Sequence, residues 1–168
     1  MDPAVTPHTN GQRIAVRVER ATPHEPDVAL LLDEHLAEMR ATSPPESVHA
    51  LPHDALAAAD VRLLAARDPA GRLLGIGALK RHDAVLGELK AMRTTGAARG
   101  RGVATVVLEH LLALARADGL QVVALETGSQ EHFAPARRLY ARHGFATCEP
   151  FADYRPDPSS TFMRLALG

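Results

Sequence analysis

The sequence predicts an α/β domain, a mixed sheet carrying helices on both faces. Three observations predict that class. After one strand and one amphipathic helix, three strand-like stretches follow in a run, and helices and strands then alternate toward the C-terminus. The chain has 168 residues, 46% hydrophobic and 23% charged, which suits one globular domain at about 100 to 200 residues per domain. No segment repeats, and no linker divides the chain into two cores.

Residues 1–11 carry Pro, Thr, His and Asn without periodicity and read as a loose leader; a single domain then spans 12–168. Ile14, Val16 and Val18 alternate with Ala15, Arg17 and Glu19, the period of a half-buried strand. From Asp27 the spacing shifts to three and four (Val28, Leu31, Leu32, His35, Leu36, Met39), which predicts an amphipathic helix ended by Ser43-Pro44-Pro45. Residues 46–56 read as a bent connection with a short helix after Pro52. Stretches 61–66 and 73–80 flank the turn Asp68-Pro69-Ala70-Gly71 and predict a β-hairpin. A further strand over 85–94 follows the turn signal His82-Asp83. Small residues fill 95–101, and a helix with Val103, Val107, Leu111 and Leu114 on one face runs to about Asp118, where Gly119 stops it. Then come a strand over 121–127, a helix over 131–143 stopped by Gly144, a strand opened by Phe145, a Pro-rich loop over 149–159 and a last strand over 161–167.

Composition excludes several functions. Nineteen basic and twenty acidic side chains leave a formal net charge of -1, so no broad positive field attracts a nucleic-acid backbone. No apolar run approaches the roughly 18 residues that a membrane span requires, and the start Met-Asp-Pro lacks the basic and apolar segments of an export signal. The single cysteine, Cys148, suits a reducing cytoplasm. His49 and His53 are four apart, but Pro52 interrupts the helix that would align them, and no metal site is expected.

The most informative stretch is Arg99-Gly100-Arg101-Gly102-Val103-Ala104, between a strand and the first turn of the long helix. Free N–H groups at a helix start, with glycines that admit close approach, form a phosphate site. A Walker loop fails because Arg101 stands where its second glycine belongs, and a dinucleotide fingerprint from Gly100 fails at Thr105. The pattern Arg/Gln-x-x-Gly-x-Gly/Ala is met by Arg99, Gly102 and Ala104, and Leu139-Tyr140-Ala141-Arg142-His143-Gly144-Phe145 stands one strand further on. With the order of elements from Ile14 onward, these motifs resemble the Gcn5-related N-acetyltransferase (GNAT) family. Ser43-Pro44-Pro45-Glu46-Ser47-Val48-His49-Ala50-Leu51, Gly77-Ala78-Leu79-Lys80, Leu125-Glu126-Thr127-Gly128-Ser129 and Cys148-Glu149-Pro150-Phe151-Ala152-Asp153-Tyr154 resemble its YsnE-like bacterial subgroup.

The resemblance implies direct transfer of an acetyl group from acetyl-CoA, the cosubstrate, to the amine of a small acceptor. A protein or peptide acceptor and a non-catalytic acyl-CoA-binding module are the rival readings, and a homodimer is left open. It places acetyl-CoA in a gap between 88–94 and 121–127, with Met92, Arg93 and Thr94 along the pantetheine arm. Arg99, Gly100, Arg101, Gly102, Val103, Ala104 and Thr105 would surround the diphosphate, and a strand N–H near Met92 would hold the oxyanion. Glu88 is expected as the base and Tyr140 as the acid for the thiolate. Alternation sets Glu88, Lys90 and Met92 on one side of their strand, where an ion pair with Lys90 is an equal reading of Glu88. Many members carry Asn where this chain has Phe133, so Ser129 or Gln130 is expected to replace that contact. The turn at 43–51 and the loop at 151–159 are expected to form the acceptor pocket, with Glu46 for a cationic amine, His49, Lys80, Arg93 and Tyr154 for a carboxylate, and Lys90 and Phe151 beside them.

Overall fold

The computed structural model describes residues 14–168; the leader expected over 1–11 lies outside them. Seven strands form one sheet: β1 (Arg17–Arg20), β2 (Val61–Arg67), β3 (Leu73–Arg81), β4 (Leu86–Thr94), β5 (Val122–Gly128), β6 (Ala146–Thr147) and β7 (Ser160–Ala166), in the order β1-β2-β3-β4-β5-β7-β6. Among the described residues only β4 and β5 pair in parallel. The helices are α1 (Pro26–Thr42), α2 (His53–Leu56), α3 (Val103–Ala117) and α4 (Ala134–Arg142), with 3₁₀ turns at Pro45–Ser47, Gly96–Ala98 and Glu131–Phe133.

The two faces of the sheet bury different helices, as the alternation along β2 requires. Val61, Leu63 and Ala65 pack with Val28, Leu31 and Leu32 of α1 and Leu56 of α2. Leu64 and Ala66 join Val103, Val107, Leu108 and Leu111 of α3 and Leu139 and Tyr140 of α4. Glycines bring α3 down onto β3: a Cβ on Gly77 would lie 2.7 Å from Val107 Cγ1 and 2.9 Å from Leu111 Cδ1.

Expected and observed boundaries differ at four places. Ile14 and Val16 pack against the α3 side of the core, but the first strand is Arg17–Arg20, where β2 offers a partner. The helix expected over 131–143 divides into a 3₁₀ turn and α4, because Pro135 fits the first turn of a helix and not its interior. The strand opened by Phe145 holds only Ala146 and Thr147, paired with the outer edge of β7. The fourth difference bears on the site. Ala91 has φ 53, and β4 bulges there: Ala78 faces Lys90 and Ile76 faces Arg93, so Gly77 alone opposes Ala91 and Met92. The extra residue reverses the alternation. Met92 therefore packs on the α3 side, opposite to Glu88 and Lys90, with which it was expected to share a face.

Arg67 fixes the α1 end of the sheet. Its buried guanidinium donates to Asp27 Oδ2 at 2.6 Å, Glu19 Oε1 at 2.9 Å and the Gly71 carbonyl at 3.1 Å. The Arg67 hydrogen bond holds the Asp27 carboxyl below its ordinary value. A group depressed in the folded state adds stability that is complete above its unfolded pKa, about 3.9, and is lost as pH falls through the folded value. Asp27→Asn should lower stability at pH 7 and flatten the loss between about pH 4 and pH 2, read by urea unfolding at both ends of that range.

Candidate active site

β4 and β5 are joined by three residue pairs, Leu86 with Val122, Gly87 with Val123 and Glu88 with Ala124. Past Glu88 the strands part: β4 continues to Thr94 bonded only to β3, and β5 continues to Gly128 bonded only to β7. A cavity of about 540 Å³ occupies the seam. Met92, Arg93 and Thr94 line one wall and Leu125, Glu126, Thr127 and Gly128 the other.

The floor of the seam is the start of α3. Gly100 and Gly102 take φ 74 and 83, the left-handed region that favours glycine, and a Cβ on either would meet nothing within 4 Å. Gly102 is the N-cap and supplies no side chain, so the first helical N–H groups, those of Val103, Ala104 and Thr105, lack a capping side chain. All three residues line the cavity, with Arg99, Gly100 and Gly102. These N–H groups, at the positive end of the helix, fit a diphosphate. The open edges of β4 and β5 fit an extended amide-bearing arm. Arg101 is exposed and does not line this cavity, contrary to its expected place.

Tyr140 lines the same cavity and is only 6% exposed. Gly144, at φ 92, ends α4 so that Phe145 N–H bonds the Tyr140 carbonyl at 3.1 Å and the two rings meet edge to face at 5.7 Å. This contact explains the spacing of Tyr140, Gly144 and Phe145 physically. Burial pushes the Tyr140 hydroxyl above the ordinary phenol value. His35 of α1 lines the same cavity; burial, with Arg93 and Lys90 nearby, holds its imidazole down to about 4 and therefore neutral.

On the α1 side of the sheet, Glu88 is 2% exposed and fully engaged. Its Oε1 lies 2.8 Å from His82 Nε2, and its Oε2 accepts from the Tyr154 hydroxyl at 2.6 Å and stands 3.4 Å from Lys90 Nζ. Lys90 also donates to the Tyr154 oxygen at 3.0 Å and to the His49 carbonyl at 2.8 Å. Burial and the Glu88 charge push the Tyr154 hydroxyl far up.

A second cavity, about 740 Å³, lies between the 43–51 turn and the 151–159 loop, with Glu46, His49, Lys80, Lys90 and Tyr154 in its walls. His49, Ala50, Leu51 and Lys90 belong to both cavities, so the two meet there. Ser47 Oγ donates to Asp157 Oδ2 at 2.5 Å and ties turn to loop.

Three expected contacts are placed elsewhere. The Ser129 hydroxyl donates to the Pro158 carbonyl at 2.6 Å and lines neither cavity, away from its expected place beside the cofactor. Phe151 supports the ring of Tyr154 edge to face at 5.0 Å and lines neither cavity. Arg93 lines the seam but is paired with Glu38 of α1, which also bonds His132 at 2.6 Å. Sequence reading missed His82, Glu38, His132 and Glu126. Glu126 alone had a signal, because it continues the alternation of its strand. Among the described residues, no group of three potential metal ligands occurs and no helix is long and apolar enough to cross a membrane.

A sheet opened at one parallel seam above an uncapped glycine-led helix defines an acyl-CoA transferase cleft. The sequence model of the acetyltransferase (GNAT) family matches residues 28–145, and the chain belongs to that family. It is 46% identical over 140 residues to YsnE of Bacillus subtilis, an uncharacterized N-acetyltransferase, covering 83% of this chain and 92% of that protein. YedL of Escherichia coli, also an uncharacterized N-acetyltransferase, is 46% identical over 142 residues, covering 84% of this chain and 89% of its own. A crystal structure from Klebsiella pneumoniae, put forward as an acyl-CoA N-acyltransferase, superposes with a TM-score of 0.76 at 29% identity, over 95% of this chain and 100% of that one. The protein is thus an acetyl-CoA-dependent N-acetyltransferase with the mixed sheet and two-sided helical cover that its sequence predicts.

Proposed function

We propose that this enzyme acetylates the amine of a small molecule by direct transfer from acetyl-CoA in a ternary complex. The observation that carries the reading is the meeting of two cavities at His49 and Lys90, one suited to the donor and one walled for a compact acceptor. The Ser47–Asp157 tie joins the walls of the second, which favours a bowl over an open peptide groove. Its lining has both signs, Lys80 and Arg155 against Glu46 and Asp153, and favours an amine that also bears a carboxylate. The lone thiol Cys148 suits the cytoplasm.

In this reading the N–H groups of Val103, Ala104 and Thr105, with Arg99, hold the diphosphate, and the backbone of Met92 and Thr94 holds the pantetheine arm. The amine nitrogen attacks the thioester carbonyl, the N–C bond forms, and the C–S bond breaks. Fixing both reactants in one cleft supplies much of the rate. A β4 N–H near Met92 serves the oxyanion, and the Tyr140 hydroxyl donates to the departing thiolate.

Release of free thiol from acetyl-CoA across amino acids, simple alkylamines and a short peptide tests the reading. Amino acids should turn over fastest; activity confined to the peptide would overturn it. Ser47→Ala should raise the acceptor KM about five-fold, the equivalent of roughly one lost hydrogen bond.

A further inference from the structure

Two carboxylates in the seam, Glu38 and Glu126, have no role in the scheme above; Glu38 is paired with Arg93 and His132, and Glu126 is not. Glu88 pairs with Ala124 across the last bonded step between β4 and β5, so both face the α1 side, and Glu126, two residues on, faces the same way. Glu126 thus stands just past the point where the strands part, half-buried in the wall of the donor cavity. It forms no ion pair among the described residues, in contrast to Glu88. Both Glu88 oxygens already accept, Oε1 from His82 and Oε2 from Tyr154 with Lys90 at 3.4 Å, so three partners hold this carboxylate in place.

We propose that Glu126 is the carboxylate that receives the amine proton, and that Glu88 is a positioning residue that fixes the Tyr154 hydroxyl at the acceptor's edge. The inference rests on the transfer reaction described above, though not on the size of the acceptor. As the nitrogen bonds the acetyl carbon, its proton passes to a Glu126 oxygen. After the C–S bond breaks, the Tyr140 hydroxyl hydrogen-bonds the departing sulfur and keeps its own proton, the proton held by Glu126 neutralises the CoA thiolate, and Glu126 returns to the carboxylate. The products are the N-acetyl amine and the free thiol, and no further reactant is needed.

The surroundings suit this role. Glu88 and Lys90 face Glu126 from β4, His49 from the 43–51 turn, Tyr154 from the 151–159 loop and Ser160 from β7. The buried Ser160 hydroxyl has no partner at hydrogen-bonding distance. Burial pushes the Glu126 carboxyl up, and His49 and Lys90 nearby oppose that only in part. A base shifted toward working pH accepts a proton more readily than an ordinary carboxylate.

The test compares the wild-type chain with Glu126→Gln, Glu126→Asp and Glu88→Gln between pH 5 and pH 9. The acceptor is whichever amine or peptide the wild type acetylates, and CoA affinity is measured by calorimetry. Glu126→Gln should lower kcat about 10²-fold, abolish the acidic limb of the pH profile and leave CoA affinity within about two-fold. Glu126→Asp, which keeps the carboxylate, should restore the limb. Glu88→Gln should keep the limb and raise the acceptor KM. Persistence of the limb in Glu126→Gln, or its loss in Glu88→Gln alone, would overturn the assignment. If only the peptide is acetylated, the small-acceptor reading fails while these profiles still decide the role of Glu126.

Discussion

Tyr140→Phe should lower kcat by about 10²-fold while CoA affinity and melting temperature stay near wild type. The separation follows from where the hydroxyl sits. The Tyr140 ring is buried against Phe145 and within the α3 side of the core, so phenylalanine keeps the packing. Tyr140 lines the donor cavity and its hydroxyl makes no hydrogen bond among the described residues, so its removal leaves no partner stranded there. Because burial raises its pKa, the group stays protonated throughout an ordinary assay range and acts as a fixed donor to the thiolate. The loss should therefore be uniform across pH, unlike that of Glu126→Gln. Steady-state kinetics at three pH values, with a thermal melt, read both parts. Unchanged turnover would remove Tyr140 from the chemistry, and a large fall in stability would show that its hydroxyl supports the core.

The fold was legible because its signals are local. Apolar spacing marks α1 and α3, and Gly119 and Gly144, both at positive φ, stop α3 and α4 where the sequence said they would. The glycine-led start of α3 beside the parted strands was legible as well, since helix starts and glycines carry a physical meaning that needs no distant partner. What was misread depends on one irregular residue or on partners far apart in the chain. Nothing about alanine announces the φ of 53 at Ala91, and that conformation alone moved Met92 to the other face. Tyr154 reaches Glu88 across 66 residues, and His82 read only as part of a turn. Ser129 looked free for the cofactor because Pro158, its partner, lies in an irregular loop that no periodicity positions.

Gly77→Val should destabilise the protein by about 3 kcal/mol, the upper end of ordinary overpacking, and weaken CoA binding more than ten-fold. Gly77 is the one residue of β3 opposite the bulge, and a Cβ there would lie 2.5 Å from Met92 Sδ as well as within 3 Å of Val107 and Leu111. The methionine end is flexible and can move. Val107 and Leu111, 1% and 0% exposed, have no space to enter, so α3 must rise from the sheet at its middle. Its first turn carries the N–H groups assigned to the diphosphate, and lifting the helix displaces them relative to β4. Stability and donor affinity should therefore fall together, although Gly77 touches no part of the proposed ligand. Gly96→Ala is the control, because a Cβ there meets nothing within 4 Å. Urea unfolding and CoA calorimetry on both variants measure the coupling. Full CoA affinity in a destabilised Gly77→Val would separate the bulge from the site and leave it a feature of packing alone.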